Sequence, residues 1–352
     1  MRGTFDPGCP GCPLLKISRR LEGIWGLPNK LGMDDMAERK EVLAQVASMY
    51  YEADLMQGEI AKRLDISPST VSRLLQEARD VGVVEITIHY PWKSSTELEE
   101  QIANRFDLRH VKVLSSRGQP YTKMLQGLGV LAARYLESIL SAGMTLGISW
   151  GTALHCTVKA LRPARRFPIM VVQMIGAVGT SDPMIDGPDL ARQLANLYEG
   201  EYRYLYAPLI VADPHAKEVL LQQDQIRQML EVARQADVAL VGIGSPLPEV
   251  SSLLRAGYLT REMLPQLQKR GVVGDVCARH YDIHGQIADI ELNQRVVGIE
   301  LEDLHHIEQV IGVAGGAAKA EAILGALRGH HVNILITDDT AAEKLLALAE
   351  EQ

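Results

Sequence analysis

Residues 145–152, TLGISWGT, combine glycines with hydroxyl side chains between a predicted strand and a predicted helix. Glycines let the backbone turn sharply and come close to a ligand. Free N–H groups at the start of the helix, with the hydroxyls of Ser149 and Thr152, suit an anion such as a phosphate. The stretch matches neither a Walker loop nor a dinucleotide-binding fingerprint. Taken alone, the stretch fits a plain strand-to-helix turn about as well as it fits an anion site.

Three further glycine clusters follow predicted strands, at residues 241–245, 271–277 and 312–316. In open α/β sheets, ligands bind beyond the carboxyl ends of the strands, where such loops supply backbone donors. Asp275 can accept hydrogen bonds from sugar hydroxyls, and Lys319 can meet a phosphate. The alternatives are a turn cap for Asp275 and an exposed helix lysine for Lys319. Several such loops in one domain favour a ligand site.

Residues 57–76 predict a second kind of site, a helix-turn-helix. Six apolar or small side chains have the spacing that two helices crossing at a tight turn require: Ile60, Ala61, Leu64, Ile66, Val71 and Leu74. Ser67 suits the cap of the following helix, and Pro68 suits its first position. The polar side chains predicted to contact DNA are Ser67, Ser69, Thr70, Ser72, Arg73 and Gln76. Arginine and glutamine make bidentate contacts with guanine and adenine in the major groove.

The turn and the charge of this segment depart from the usual pattern. Asp65 stands where the turn often has glycine, but aspartate tolerates the left-handed conformation better than most residues. Residues 36–93 hold seven Lys/Arg and nine Asp/Glu, so the segment is not basic overall. Its basic side chains cluster on the second and third helices, at Lys62, Arg63, Arg73 and Arg79. The alternative is a three-helix bundle used only for protein contact. A strand predicted over residues 83–90, after Gly82 ends the third helix, favours a winged DNA-binding domain.

The whole chain has the size and composition of two or three globular domains. It has 352 residues, of which 47% are hydrophobic and 23% charged, and this argues against a largely disordered chain. The net charge is −8, so DNA binding must come from a local patch. The sequence contains neither an apolar run long enough to span a membrane nor a secretion signal. We therefore expect a cytoplasmic protein with no membrane partner, and four cysteines suit a reducing compartment.

Residues 1–35 differ from the rest of the chain and are predicted to be a flexible extension. They carry Cys9 and Cys12 in a CxxC arrangement, which can be half of a zinc site. The remaining cysteines, Cys156 and Cys277, are far apart in sequence, so no metal and no cofactor are expected. A start of translation at Met33 or Met36 is the alternative.

The elements that position these sites follow from the hydrophobic pattern. Residues 36–92 are predicted to form the winged helix-turn-helix, and residues 93–106 a linker helix. Leu98, Ile102 and Phe106 form a seam on that helix, a possible contact between protomers. Over residues 107–352, apolar strands alternate with amphipathic helices, which predicts an α/β domain with a mostly parallel sheet. The predicted strands are 111–114, 145–148, 169–175, 238–243, 310–313 and 332–336, and the predicted helices include 124–140, 189–198, 225–234 and 317–327.

From Met36 to its end, the chain resembles SorC-family transcriptional regulators. The matching stretches include QGEIAKRLDISPSTVSRLLQEARDVGVVEI, LGISWGT, DVALVGIG, GVVGDVCARHYDIHG and VIGVAGGAAKAEAILGALRG, in the family's order. The resemblance implies a winged helix-turn-helix and a large α/β effector domain similar to phosphosugar isomerase and deaminase folds. It implies a homo-oligomer, a dimer or tetramer, that binds palindromic operators in double-stranded DNA and responds to a phosphorylated sugar. The effector-binding residues carried over by motif are Ser149, Gly151, Thr152, Gln173, Asp275 and Lys319.

Three functions remain open on the sequence: a ligand-responsive repressor or activator, an enzyme acting on phosphosugars, and a DNA-binding architectural protein. Isomerase or deaminase chemistry needs an acid and a base at the sugar carbons. The available histidines are His280, His284, His305 and His306, but they form no constellation with Asp or Glu in sequence, and the last two are predicted to lie on the surface. The size of the second domain argues against the architectural protein. We therefore expect a regulator without catalytic residues.

Overall fold

The computed structural model describes residues 33–84, 94–179 and 186–351. Its contacts divide the chain into two units, Met1–Tyr90 and Pro91–Gln352.

The described residues of the first unit form the helices α1 (Met33–Tyr51), α2 (Gln57–Leu64) and α3 (Pro68–Asp80). Asp65 ends α2 in the left-handed conformation, with φ 53° and ψ 46°, which confirms the predicted turn. The side chain of Ser67 accepts a hydrogen bond from the Thr70 N–H at 3.1 Å, so Ser67 caps α3 as predicted.

The three helices enclose one apolar core. Its buried side chains are Val42, Leu43, Val46, Ala47, Ile60, Ala61, Leu64, Val71, Leu74, Leu75 and Ala78. A helix presents side chains three and four residues apart on one face, which explains why these positions meet. Gly82 follows α3 with φ 73°, in agreement with the predicted stop. Residues 85–90 of the predicted wing strand lie outside the described residues.

The second unit is built on a parallel sheet. Its strands are β1 (His110–Leu114), β2 (Thr145–Ile148), β3 (Met170–Gln173), β4 (Glu201–Arg203), β5 (Val238–Gly244), β6 (Val272–Val276), β7 (Arg279–Asp282), β8 (Gln309–Val313) and β9 (Ile334–Asp338). The order β1-β9-β8-β5-β2-β3-β4 is parallel throughout. Parallel strands need crossover connections, which the intervening helices provide.

The helices of this unit are α4 (Thr96–Phe106), α5 (Tyr121–Ile139), α6 (Thr152–Ala160), α7 (Gly187–Leu197), α8 (Pro214–Leu221), α9 (Asp224–Arg234), α10 (Ser252–Arg255), α11 (Leu264–Lys269), α12 (Glu291–Arg295), α13 (Leu301–Leu304), α14 (Ala320–Arg328) and α15 (Asp339–Glu350), with a 3-10 turn at Ala317–Lys319. Apolar clusters fill both faces of the sheet. One contains side chains of α5, α6 and α7, and the other side chains of α4, α9, α14 and α15. Strands covered on both sides are apolar throughout, which explains why the predicted runs were recognisable.

A β-hairpin, β6–β7, departs from the predicted pattern. Strand β6 pairs antiparallel with the end of β5, Gly244 opposite Asp275, and then with β7. The prediction that residues 271–277 form a glycine loop after a strand is therefore wrong, because Val272–Val276 are themselves a strand. The turn at Cys277 and Ala278 has φ values of 52° and 61°. Two consecutive left-handed residues are what a two-residue hairpin turn requires.

The predicted seam on α4 is not exposed for contact between protomers. Ile102 is fully buried in the core of its own unit, and Leu98 and Phe106 pack partly buried against the same core. Glu99 ties the helix to β1 by accepting from the Val113 N–H at 2.9 Å. The prediction was wrong because apolar spacing on a helix does not distinguish a core within one chain from an interface between chains.

Candidate functional site

A cavity of about 250 Å³ lies beyond the carboxyl ends of β2, β5 and β8. It brings together five of the six residues predicted to bind the effector, namely Ser149, Gly151, Thr152, Asp275 and Lys319. Parallel strands end at the same edge of a sheet, so loops that are distant in sequence meet there.

The loop after β2 forms one wall of the cavity. Gly151 caps α6 with φ 120° and ψ 168°, a backbone conformation that residues other than glycine rarely adopt. The Ser149 side chain is buried, and its hydroxyl lies 3.4 Å from the Gly242 N–H. Thr152, the first residue of α6, is half-buried beside them. This wall can present backbone N–H groups and hydroxyls to an anion.

Lys319 provides a buried cation to the cavity. It lies in the 3-10 turn after β8, only 6% exposed, and its Nζ donates to the Ile243 carbonyl at 2.8 Å. Burial lowers the pKa of Lys319 to about 8, against the opposing effect of the Asp275 carboxylate. The alternative of an exposed helix lysine is wrong, because the turn directs this side chain inward.

Asp275 reaches the cavity from β6. A Cβ atom on Gly244 would lie 1.9 Å from the Asp275 Oδ1, so the carboxylate passes directly over this glycine. The antiparallel pair of Asp275 and Gly244 explains the glycine, because no larger residue leaves room for the carboxylate. A turn cap, the alternative for Asp275, is wrong.

Asp338, which was not predicted from the sequence to belong to the site, holds the loop after β8 in place. This carboxylate is 1% exposed and accepts from the Gly316 N–H at 2.6 Å and the Ser116 hydroxyl at 2.8 Å. It also accepts from the Thr340 hydroxyl at 2.6 Å and caps α15. Glu343, on the same helix, pairs with Arg117.

Two further lining residues, Arg255 and Tyr121, were missed. Arg255 is exposed on the short helix α10, and its guanidinium donates to the Ser252 hydroxyl at 2.9 Å. The charge of Arg255 also lowers the pKa of Lys319, so both cations act on the same space. Tyr121 begins α5, and burial raises the pKa of its phenol. Only the tertiary structure brings these two residues to the cavity.

Gln173, the sixth predicted effector contact, is not among the described residues that line the cavity. It is fully buried at the end of β3, and its Oε1 accepts from the Leu205 N–H at 3.2 Å. Within the described part of the chain, its Nε2 has no hydrogen-bond partner. Gln173 therefore supports the strand end beside the site.

The histidines named from the sequence are not among the described residues that line the cavity. His280 is buried on β7 with its Nδ1 3.3 Å from the Asn293 Oδ1, and burial lowers its pKa. His305 and His306 are exposed, as predicted. No group of three metal-ligating side chains occurs within residues 33–84, 94–179 and 186–351, and Cys9 and Cys12 lie outside these ranges.

The polar face of α3 presents the side chains predicted to contact DNA. Ser67, Ser69, Ser72, Arg73 and Gln76 are exposed, and Thr70 is half-buried. The Ser67 hydroxyl lies 2.8 Å from that of Ser69 and 2.9 Å from that of Thr70.

Neighbouring charges hold the side-chain amide of Gln76. It donates to Asp80 at 2.9 Å and accepts from Arg79 at 2.6 Å. Arg79 also donates to the Tyr51 hydroxyl at 3.0 Å, which connects this group to the end of α1. The glutamine is thus oriented along the helix axis.

A helix-turn-helix unit joined to an α/β unit with a polar, cation-bearing cavity defines the class of ligand-responsive DNA-binding regulators. The family model described as "Putative sugar-binding domain" matches residues 90–347. The chain belongs to the SorC family of transcriptional regulators. It is thus a transcriptional regulator with a sugar-binding domain.

The similar proteins cover most of the chain. The chain is 33% identical to the sorbitol operon regulator of Klebsiella pneumoniae, over 87% of this chain and 97% of that protein. It is 31% identical to the deoxyribonucleoside regulator of Bacillus subtilis, over 88% and 98%. The crystal structure of the full-length sorbitol operon regulator SorC from Klebsiella pneumoniae matches with a TM-score of 0.68 at 32% identity, over 87% and 98%. None of the helices in the described ranges is long and apolar enough to cross a membrane.

Proposed function

We propose that the chain controls a carbohydrate-related operon in the cytoplasm, and that a phosphorylated sugar bound in the cavity sets its affinity for operator DNA. The observation that carries the proposal is the meeting of two cations, Lys319 and Arg255, with the anion-suited loop at Gly151 in a single small cavity. A phosphate would take the loop N–H groups and the two cations, and Asp275 would accept from sugar hydroxyls.

The similar proteins support a sugar-derived effector. One is named for a sorbitol operon and another for deoxyribonucleosides, which contain a sugar. A cavity of about 250 Å³ is near the lower end of ligand sites and suits one monosaccharide unit.

We also propose that the protein has no catalytic turnover and binds DNA as a homo-oligomer. Among the described residues that line the cavity there is no histidine, and Asp275 is the carboxylate. Acid–base catalysis by a carboxylate paired with a histidine or with a second carboxylate would require another such group. One helix-turn-helix reads a short half-site, so a palindromic operator requires at least two copies.

Calorimetry on a panel of sugar phosphates, each beside its unphosphorylated parent, tests the effector class. Lys319→Ala is expected to weaken binding of a phosphorylated member by about 10- to 150-fold, because charge-assisted hydrogen bonds contribute about 1.5–3 kcal/mol each. Lys269→Ala, which removes an exposed lysine outside the cavity, is the matched control. Equal binding by wild type and Lys319→Ala would show that the lysine does not contact the phosphate. If only the unphosphorylated sugar or polyol binds, the effector is not a phosphorylated sugar.

DNA binding is tested by footprinting and binding isotherms with and without the effector. Arg73→Ala is expected to cost about 1–3 kcal/mol if the side chain contacts a base. Full operator affinity in the Arg73→Ala, Gln76→Ala double variant would contradict the predicted DNA contacts. Product analysis of the same sugar phosphates after long incubation tests for turnover, and any catalysed conversion would favour the enzyme alternative.

A further inference from the structure

The outer edge of β4 is an unpaired strand edge. β4 ends the sheet, and no described strand pairs with its other side. All three residues of β4 are exposed. The Glu201 N–H donates to the Ile169 carbonyl of the neighbouring segment at 2.9 Å. Backbone groups alternate in direction along a parallel ladder, so the N–H and C=O of Tyr202 point away from β3.

Tyrosines continue along this edge. Tyr202, Tyr204 and Tyr206 form a row, with ring centroids 4.8 Å apart for the first pair and 6.0 Å apart for the second. Tyr202 is 38% exposed and Tyr206 80% exposed. Exposed aromatic side chains beside free backbone groups are typical of a surface that associates with another protein.

The charges on β4 identify the occupant. Glu201 and Arg203 lie on one face of the strand, and the Arg203 Nη2 is 3.0 Å from the Glu201 Oε2. Charged edge strands usually repel a second strand when the charges are alike. Here a second copy, antiparallel about a two-fold axis at Tyr202, would place each Glu201 opposite an Arg203. The edge is therefore complementary to itself.

We propose that β4 pairs with β4 of a second copy to form a two-fold symmetric interface between α/β units. Tyr202 would exchange both backbone hydrogen bonds with the same residue of the second copy, the arrangement of a hydrogen-bonded antiparallel pair. Two Glu201–Arg203 pairs flank this centre, and the tyrosine rows meet across the axis. The interface is isologous, so it closes as a dimer and does not extend into a fibre.

A charge-complementation experiment tests the interface. In Glu201→Arg, arginines at 201 and 203 oppose each other twice, and in Arg203→Glu, glutamates do so. Each variant alone is expected to self-associate at least about tenfold more weakly than wild type, because like charges directly opposite are destabilising. Mixed in equal amounts, the two variants form complementary pairs and are expected to recover association as a heterodimer.

The readout is sedimentation velocity of the full chain over a micromolar concentration series, without DNA or effector. Failure of this proposal is therefore separate from failure of the proposed effector or operator. Tyr202→Pro is a second variant, since it removes an outward N–H and leaves the hydrogen bonds to β3 in place. Recovery on mixing, with weak association of Tyr202→Pro, is the expected result. Wild-type association in all variants, no recovery on mixing, or a monomeric wild type would overturn the proposal.

Discussion

Lys319 places a titratable amine at the site, so effector binding is expected to depend on pH in the alkaline range. Burial lowers the pKa of Lys319 to about 8, and only the protonated amine attracts a phosphate. Sugar-phosphate affinity should fall by about tenfold per pH unit above about pH 8, until it equals that of Lys319→Met. Calorimetry from pH 7 to 10 measures both proteins. A wild-type slope no steeper than that of Lys319→Met would show that the lysine carries no charge relevant to binding.

The same burial predicts an effect of opposite sign on stability. The pKa of Lys319 is lower in the folded chain than its ordinary value of 10.5, so folding disfavours the protonated form. The unfolded chain binds the extra proton between about pH 8 and 10.5, and unfolding free energy therefore rises with pH in that range. Lys319→Met is expected to stabilise the ligand-free protein by about 1–3 kcal/mol at pH 7, with the difference vanishing towards pH 10.5. Denaturant unfolding at three pH values gives the comparison, and a less stable Lys319→Met at pH 7 would contradict it.

At the scale of elements, the start of α3 has a structural and a predicted DNA-binding role in the same residues. Ser67→Ala removes the hydroxyl that caps the helix and is expected to cost about 1 kcal/mol in stability. Ser69→Ala, two residues on, is the matched control and should change stability by less than about 0.5 kcal/mol. Thermal unfolding of both variants and operator binding well below the transition separate the two roles. Equal stability losses would mean that the cap contributes nothing specific.

Sequence patterns predicted the elements whose apolar faces are continuous, and failed where pairing depends on distant residues. The buried strand β5 and the left-handed turn at Asp65 follow from local composition and conformation. β4 was missed because its residues are polar and exposed. β6 was missed because its glycines resemble a loop, and its pairing with β5 requires the close approach of Asp275 over Gly244.

The predicted effector site divides in the same way. Gly151 and Lys319 belong to glycine stretches at strand ends, so motif and topology together located them. Arg255 lies on a four-residue helix with no distinguishing pattern, and only packing brings it to the cavity. Asp338 ends a strand, where its anchoring of the Gly316 loop depends on a third segment at Ser116.

For the whole molecule, regulation requires reciprocal coupling between the effector cavity and DNA. If the effector changes operator affinity by some factor, operator DNA must change effector affinity by the same factor. Calorimetry of the effector with and without saturating operator, beside DNA titrations with and without saturating effector, measures both. Factors that differ at matched salt and pH would show that another equilibrium, such as a change in assembly, takes part.

The salt dependence of operator binding is a second whole-molecule property. Residues 36–93 carry seven Lys/Arg and nine Asp/Glu. Each phosphate contact contributes about 0.9 to the slope of log affinity against log salt. The slope per helix-turn-helix unit is expected to be modest, about 2–4, in binding isotherms from low to physiological salt. A slope near 8 per unit would require basic residues outside this segment.

Arg255 and Gly151 line one cavity, yet substitutions at the two positions have very different costs. Gly151 holds a φ of 120°, and any side chain there would strain the backbone that leads into α6. Arg255 is exposed on a short helix, so its replacement removes no core packing. Mutations that survive selection can accumulate at Arg255 while the position of Gly151 stays fixed. After gene duplication, one copy can thus come to encode a regulator that binds a different effector, through a few surface changes that leave the fold intact.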